Sequence, residues 1–184
     1  MKHRVKRTRA GMPQRVRGSV AAAPPDRSQT PAKADLAVRA AGRADVEAVI
    51  ALDAKITGLP KPAHWHELYR RQRRTADASA GVIFLVAAPV EEPGRVLGFI
   101  LGEMRAWEFG STPCGWVYAL SVAPEARERG VGETLLTAIS EEFRQAGMGK
   151  MRTMVARDNL LTMSFFRGEG MMAGPYIELE KDLA

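Results

Sequence analysis

Cysteine is almost missing from this chain: Cys114 is the single one among 184 residues, so no disulfide can close within it. That fits a reducing compartment. No partner motif accompanies Cys114, and it reads as an ordinary loop cysteine. Long apolar runs are lacking too. The longest, residues 82–90, falls far short of the roughly 18 residues a membrane-spanning helix needs and reads as a buried strand. No membrane association is expected. The basic N-terminus lacks an apolar central region, so no secretory leader is expected and a cytoplasmic chain is. Histidine is scarce. His64 and His66 stand two apart, a spacing that does not face them the same way on a helix, and no Cys, Asp or Glu cluster of ligand spacing accompanies them. No metal is expected.

Charge is present but unevenly placed. Residues 1–34 carry nine Lys or Arg and one acid, a net +8, whereas the remaining 150 residues carry 18 basic and 20 acidic side chains, a net −2. The overall +6 therefore belongs to a tail. That tail has no aromatic residue and almost no large apolar one, so it cannot offset its ordering entropy and is expected to be disordered. Without aromatics it has no stacking signal; its basic residues are the sole argument for a nucleic-acid partner, and none is expected. One folded domain is expected over 35–184, long enough for a sizeable core.

Periodicity supplies the elements. Residues 35–40 read as a strand and 45–56 as a helix with Val46, Val49, Ile50 and Ile56 near one face. Pro62 opens a second helix, with Trp65, Leu68, Tyr69 and Gln72 at three-to-four spacing and a basic last turn. Strands follow at 82–89 and 95–107, joined by the turn 91–94, and another at 116–122. Val131, Leu135, Leu136, Ile139 and Phe143 mark a third helix that Gly147 stops. Residues 150–157 read as a strand, Asn159 opens a short helix, and 176–180 reads as a final strand.

The segment Val117 to Glu133, VYALSVAPEARERGVGE, carries the chemistry. A strand ends at Val122, and Arg127-Glu128-Arg129-Gly130-Val131-Gly132 leads straight into a helix. The glycines permit a tight turn. The helix start offers unpaired N–H groups and a positive dipole end. Together they suit a phosphate or pyrophosphate. A dinucleotide fold would need a third glycine and an early strand, and a nucleotide-triphosphate loop would need Gly-Lys-Ser/Thr. Neither pattern is present.

The spacing Arg-x-x-Gly-x-Gly after Leu-Ser-Val-x-Pro resembles the acetyl-CoA loop of the GNAT superfamily of N-acetyltransferases. Asn159, Thr162, Phe165, Phe166, Gly170 and Met171 match a second motif of that family, Met171 replacing an aromatic. The resemblance covers about residues 36–184. It implies an α/β (α+β) fold: a mixed, mostly antiparallel sheet of six to seven strands with helices on both faces, splayed between the fourth and fifth strands. It implies acetyl-CoA as co-substrate. Backbone groups of Leu120, Ser121 and Val122 would pair with the pantetheine arm, the Val122 N–H would polarise the thioester carbonyl, and backbone N–H groups from Arg127, Glu128 and Arg129 through Gly130, Val131 and Gly132 would hold the pyrophosphate. Asn159 would lie near the pantetheine, and Phe166 would pack against it.

Two departures stand out. Phe166 replaces the tyrosine that in active members can protonate the leaving thiolate, and it has no proton to give. Tyr118 replaces a glutamate that often serves as base. A tyrosine at its ordinary pKa of about 10 is a poor base at neutral pH. The catalytic candidates are therefore Tyr118 itself and Glu103 on the neighbouring strand, with Glu108 behind it. If one strand ran unbroken through both acids, alternation would send them to opposite faces. Acceptor recognition would fall to the first two helices and the loop before the fourth strand, with Trp65, Tyr69 and Trp116 as candidates. The expected partner is the primary amine of a small molecule or a protein, and homodimerisation is left open. The alternative is a non-catalytic acyl-CoA-binding protein with a degenerate site.

Overall fold

The computed structural model describes residues 35–74 and 81–183. The basic tail lies outside the described residues, and with it the expectation of disorder there.

Apolar spacing becomes burial at most of the expected positions, although Ile56, expected on the inner face of the first helix, is exposed. Helix α1 (Val46–Thr57) buries Val46, Val49 and Leu52 and ends at left-handed Gly58, whose N–H returns to the Ala54 carbonyl. Helix α2 (Pro62–Arg74) buries Trp65 and Leu68. Strands β1 (Leu36–Ala40), β2 (Val82–Pro89), β3 (Gly98–Arg105) and β4 (Cys114–Val122) pair antiparallel in chain order. Helix α3 (Val131–Gln145) buries all five residues of its predicted stripe. Strand β5 (Met151–Thr153) then joins β4 in parallel, and α4 (Leu160–Gly168) follows.

The helices cover opposite faces. Trp65 of α2 packs on Phe84 and Phe99, its ring centre 5.8 and 5.0 Å from theirs. On the other face α3 lies close because glycine makes room. A Cβ on Gly102 would meet the Phe143 ring at 2.8 Å, and Gly115 sits against the same ring. Overfilling such a contact costs about 1–3 kcal/mol.

Four expectations are corrected. The sheet of the described residues has five strands, not six or seven. Residues 176–180 alternate correctly but form no strand: β5 offers an edge of three residues, and Ile177 and Leu179 stay exposed. Tyr176 instead lays its ring 4.8 Å from the Arg152 guanidinium. The strand expected through residue 107 stops at Arg105, and Trp107 turns left-handed at φ 63°. Cys114 is not a loop residue but the buried first residue of β4.

Two irregularities in β4 position the site. Leu101 stands opposite Ala119 and Gly102 opposite Val117, so Tyr118 has no counterpart on β3 and forms a bulge. Such a bulge re-aims a side chain. On the other side, β5 accompanies β4 only through Val117 opposite Thr153. From Tyr118 to Val122 the ladder to β5 is absent, which leaves this edge of β4 without a strand partner among the described residues. The strand expected over 150–157 is thus only three residues long, and its pairing with β4 ends there.

Candidate active site

Below that open edge the chain turns into α3. A helical turn at Pro124–Ala126 leads to residues 127–130, where Glu128 (φ 62°) and Gly130 (φ 78°) are both left-handed. A turn of this kind can gather successive N–H groups into an anion-binding concavity. Gly130 caps α3, and its carbonyl accepts the Thr134 N–H at 2.9 Å and hydroxyl at 2.8 Å. The N–H groups ahead of Thr134 are those a helix start leaves without an internal partner. Glu128 holds a conformation uncommon outside glycine, the kind of local strain that clusters at ligand sites.

The two glycines divide the work. Gly130 is needed for its backbone angle. Gly132 is needed for space: a Cβ there would stand 3.3 Å from the Phe165 ring and 3.7 Å from Val122. Gly132 thus lets α4 close on the start of α3. Arg127 and Glu128 are exposed at the loop, and Val131 is buried beneath it. Asn159 caps α4, its side-chain oxygen accepting the Thr162 N–H at 3.1 Å. Its amide nitrogen is then the end suited to a ligand. Phe166 is buried, edge-on to Phe165 with ring centres 5.2 Å apart.

The other half of the site is made of side chains. Glu103 stands opposite Trp116, and Arg105 opposite Cys114. Alternation along β3 puts Glu103 and Arg105 on the Phe99 face, which α2 covers. Arg71 of α2 donates to Glu103 Oε2 at 2.9 Å, and Arg105 Nε donates to Oε1 at 2.7 Å. The Arg105 guanidinium lies 5.1 Å from the centre of the Trp116 ring. Tyr118 is 40% exposed and shares this environment. Burial pushes its phenol up to about 12, the Glu103 charge adds to the rise, and Arg71 and Arg105 offset part of it. Tyr118 therefore stays protonated at neutral pH and is a hydrogen-bond donor, not a base.

Trp65, expected at the acceptor, is a core residue only 2% exposed, and its Nε1 donates to Asp53 Oδ2 at 3.0 Å. Tyr69 is half-buried against the same core. Trp116 is half-buried under Arg105, and its Nε1 has no hydrogen-bond partner among the described residues. Glu108, beyond the end of β3, reaches to 3.6 Å from Arg105 Nη1. Because the strand ends at Arg105, alternation does not separate the two acids, and both lie near one arginine. Arg71 and Arg105 were not anticipated. Arg105 was within reach, standing two residues from Glu103 on the same strand. Arg71 read only as a helix-end charge.

Among the described residues no three His, Cys, Asp or Glu side chains could hold a metal ion, and no helix is long and apolar enough to cross a membrane. A hollow of about 250 Å³ between α3 and β5, lined by Ser140, Arg144 and Met151 among others, contains none of the expected site residues.

The model of the acetyltransferase (GNAT) family matches residues 47–171, more than half of the chain and the whole of this cleft. The chain belongs to the GNAT family. Two curated relatives are mycothiol acetyltransferases. That of Kocuria rhizophila is 32% identical over 87 residues, covering 47% of this chain and 29% of the relative. That of Saccharomonospora viridis is 29% identical over 137 residues, covering 68% and 42%. The chain thus spans less than half the length of the curated relatives it matches. Among solved structures, the aminoglycoside N-acetyltransferase AAC(6')-Iy crystallised with CoA superposes with a TM-score of 0.69 at 14% identity, over 81% of this chain and 95% of that one. At that identity the likeness speaks for the GNAT fold alone.

Proposed function

We propose that this GNAT domain moves an acetyl group from acetyl-CoA to the primary amine of a small molecule. The observation that carries the reading is the open edge of β4 from Tyr118 to Val122, running into a left-handed loop and the start of α3. Unpaired strand groups suit the amides of a pantetheine arm, and the loop and helix start suit a pyrophosphate. Bound acetyl-CoA would supply an activated thioester. The chain would supply the rest. Leu120, Ser121 and Val122 hold the arm by their backbone, and the Val122 N–H is the donor available to a developing oxyanion. Arg127, Glu128, Arg129, Gly130, Val131 and Gly132 offer their N–H groups to the phosphates. Asn159 contributes its amide nitrogen, and Phe166 keeps the wall of the cleft dry.

Tyr118 presents a neutral hydroxyl at the bulge, next to where the amine must arrive. Glu103 is gripped by two guanidiniums, one on each oxygen, and serves to fix Arg71 and Arg105. The amine then loses its proton to solvent, with no carboxylate base. The curated relatives' names support a small-molecule acceptor. Phe166 is the observation that favours the competing reading, an acyl-CoA-binding protein without turnover.

Thiol release from acetyl-CoA, followed with a panel of primary amines, tests the reading. Amine-dependent release above the hydrolytic background is expected. Tight CoA binding with no release for any amine would favour the non-catalytic alternative.

A further inference from the structure

Trp107 is set where neither its backbone nor its side chain is favoured. Its φ of 63° is left-handed, a conformation that glycine adopts readily and a bulky side chain rarely does. Trp107 is also 73% exposed, whereas Trp65 is 2% exposed and Trp116 half-buried. Both conditions cost free energy in the unliganded protein, and backbone strain of this kind gathers at ligand sites.

The residues that follow it are secured. Glu108, next in the chain, lies 3.6 Å from Arg105 Nη1 at the end of β3. Ser111 donates its N–H to the Glu108 carbonyl at 3.0 Å, and its hydroxyl accepts from Arg152 Nη1 of β5 at 3.0 Å. The turn is thus tied to both β3 and β5. A ring carried on a tied turn is held before a ligand arrives, which lowers the ordering cost of binding.

Resting on the acetyl-transfer reading above, we infer that Trp107 is a distal subsite for the acceptor, stacking on an aromatic ring held roughly 10 Å from the amine that is acetylated.

The distance follows from the register. The amine arrives at the Tyr118 bulge, which Leu101 and Gly102 flank on β3. Arg105, the last residue of β3, lies three residues beyond Gly102, a span of about 10 Å at roughly 3.4 Å per residue, and Trp107 follows. Arg105 pairs with both Glu103 and Glu108, so recognition at this end of the cleft falls to the indole. An exposed indole offers a large apolar face and a ring quadrupole, and another aromatic ring in offset or edge-on contact suits both.

Two pairs of amines test this. One is hexylamine with 6-phenylhexylamine, whose chain spans that distance. The other is ethylamine with 2-phenylethylamine, whose ring falls short of it. Adding the ring is expected to raise kcat/KM by at least about fivefold in the hexyl pair, the scale of one aromatic contact, and by less in the ethyl pair. Trp107→Gly should bring the hexyl gain down to the ethyl gain, and Trp107→Phe should retain part of it. Glycine takes a left-handed backbone without strain, so the melting temperature of Trp107→Gly should hold or rise. A drop of several degrees would mean that Trp107 serves the fold. Equal gains in the two pairs, or a hexyl gain that survives Trp107→Gly, would mean that the ring binds elsewhere. Either result overturns the inference and leaves acetyl transfer standing. A change from dimer to monomer in Trp107→Gly by sedimentation overturns it too, by making the indole a contact between copies of the chain. Should no amine be turned over, acrylamide quenching of tryptophan fluorescence on the CoA-loaded protein reads the same contact, because Trp107 is the most exposed indole. 6-Phenylhexylamine, but not hexylamine, is expected to shield it in the parent and to shield nothing in Trp107→Gly. That result supports the inference even though acetyl transfer has then failed. No shielding, or equal shielding in Trp107→Gly, overturns it.

Discussion

The two halves of the cleft are built from different materials. The half we propose for the cofactor is backbone: an open strand edge, two left-handed residues and a helix start, all within Tyr118 to Gly132. The acceptor half is side chains drawn from three separated segments, with Arg71 on α2 meeting Glu103 on β3 and Tyr118 on β4. A ligand read by backbone demands glycines and helix signals at fixed spacing, so its site is written in one stretch. A ligand read by side chains demands only that charges meet in space, and many sequences achieve that.

The comparison is best broken first in the backbone half. Gly130→Glu forces a carboxylate side chain onto a left-handed position where phosphate would approach. CoA affinity should fall by on the order of a hundredfold, from strain of about 1–3 kcal/mol together with repulsion. The melting temperature should move by only a few degrees. Unchanged affinity by calorimetry, in a folded variant, would remove the loop from the cofactor site.

In the side-chain half, Glu103→Gln separates bridge from base. A general base is worth roughly 10²–10⁴-fold in rate. Because both Glu103 oxygens are taken by arginines, kcat should drop by less than about tenfold, with KM carrying more of the change, since a general-base loss would fall on kcat. A fall in kcat of a hundredfold or more, with the alkaline pH profile reshaped, would restore Glu103 as base.

Phe166→Tyr is expected to leave kcat within a few-fold of the parent or to raise it, provided the hydroxyl finds a partner in its buried position. A buried hydroxyl without one costs about 1–3 kcal/mol, which a lowered melting temperature would reveal. A loss near the full value of a general acid, with CoA affinity unchanged, would mean that another acid already operates and needs that wall dry.

Tyr118 gives the smallest effect and a pH signature. Its folded pKa, about 12, lies above the ordinary value of 10, so the folded state holds the proton longer than the unfolded chain. The stabilisation linked to this is fully present below pH 10 and is lost as pH rises from there towards 12. Tyr118→Phe should therefore flatten the fall in stability over that window and leave the shape of the rate profile below pH 10 unchanged. A missing limb at neutral pH in the variant would mean that Tyr118 titrates during the reaction.

What the sequence allowed follows the same division. The stripe Val131, Leu135, Leu136, Ile139 and Phe143 was legible because helical periodicity and burial have one cause, and Gly130 because a left-handed cap demands it. Gly132 was legible as a glycine but not in its purpose, since its neighbour Phe165 lies 33 residues on. The bulge at Tyr118 is a register shift, and no local composition marks it. Trp65 was misplaced because an aromatic at helical spacing suits a pocket or a core equally, and Asp53, buried within reach of its Nε1, decided for the core. The final strand at 176–180 failed because alternation states a preference for pairing but cannot supply a partner edge.

Amide hydrogen exchange with and without CoA tests most directly whether the cofactor is read by backbone. The account predicts slowed exchange confined to residues 118–122 and 127–133, with α2 and the Glu103 segment of β3 unchanged. Protection that instead centres on α2 and β3, or that spares the 127–133 loop, would contradict it.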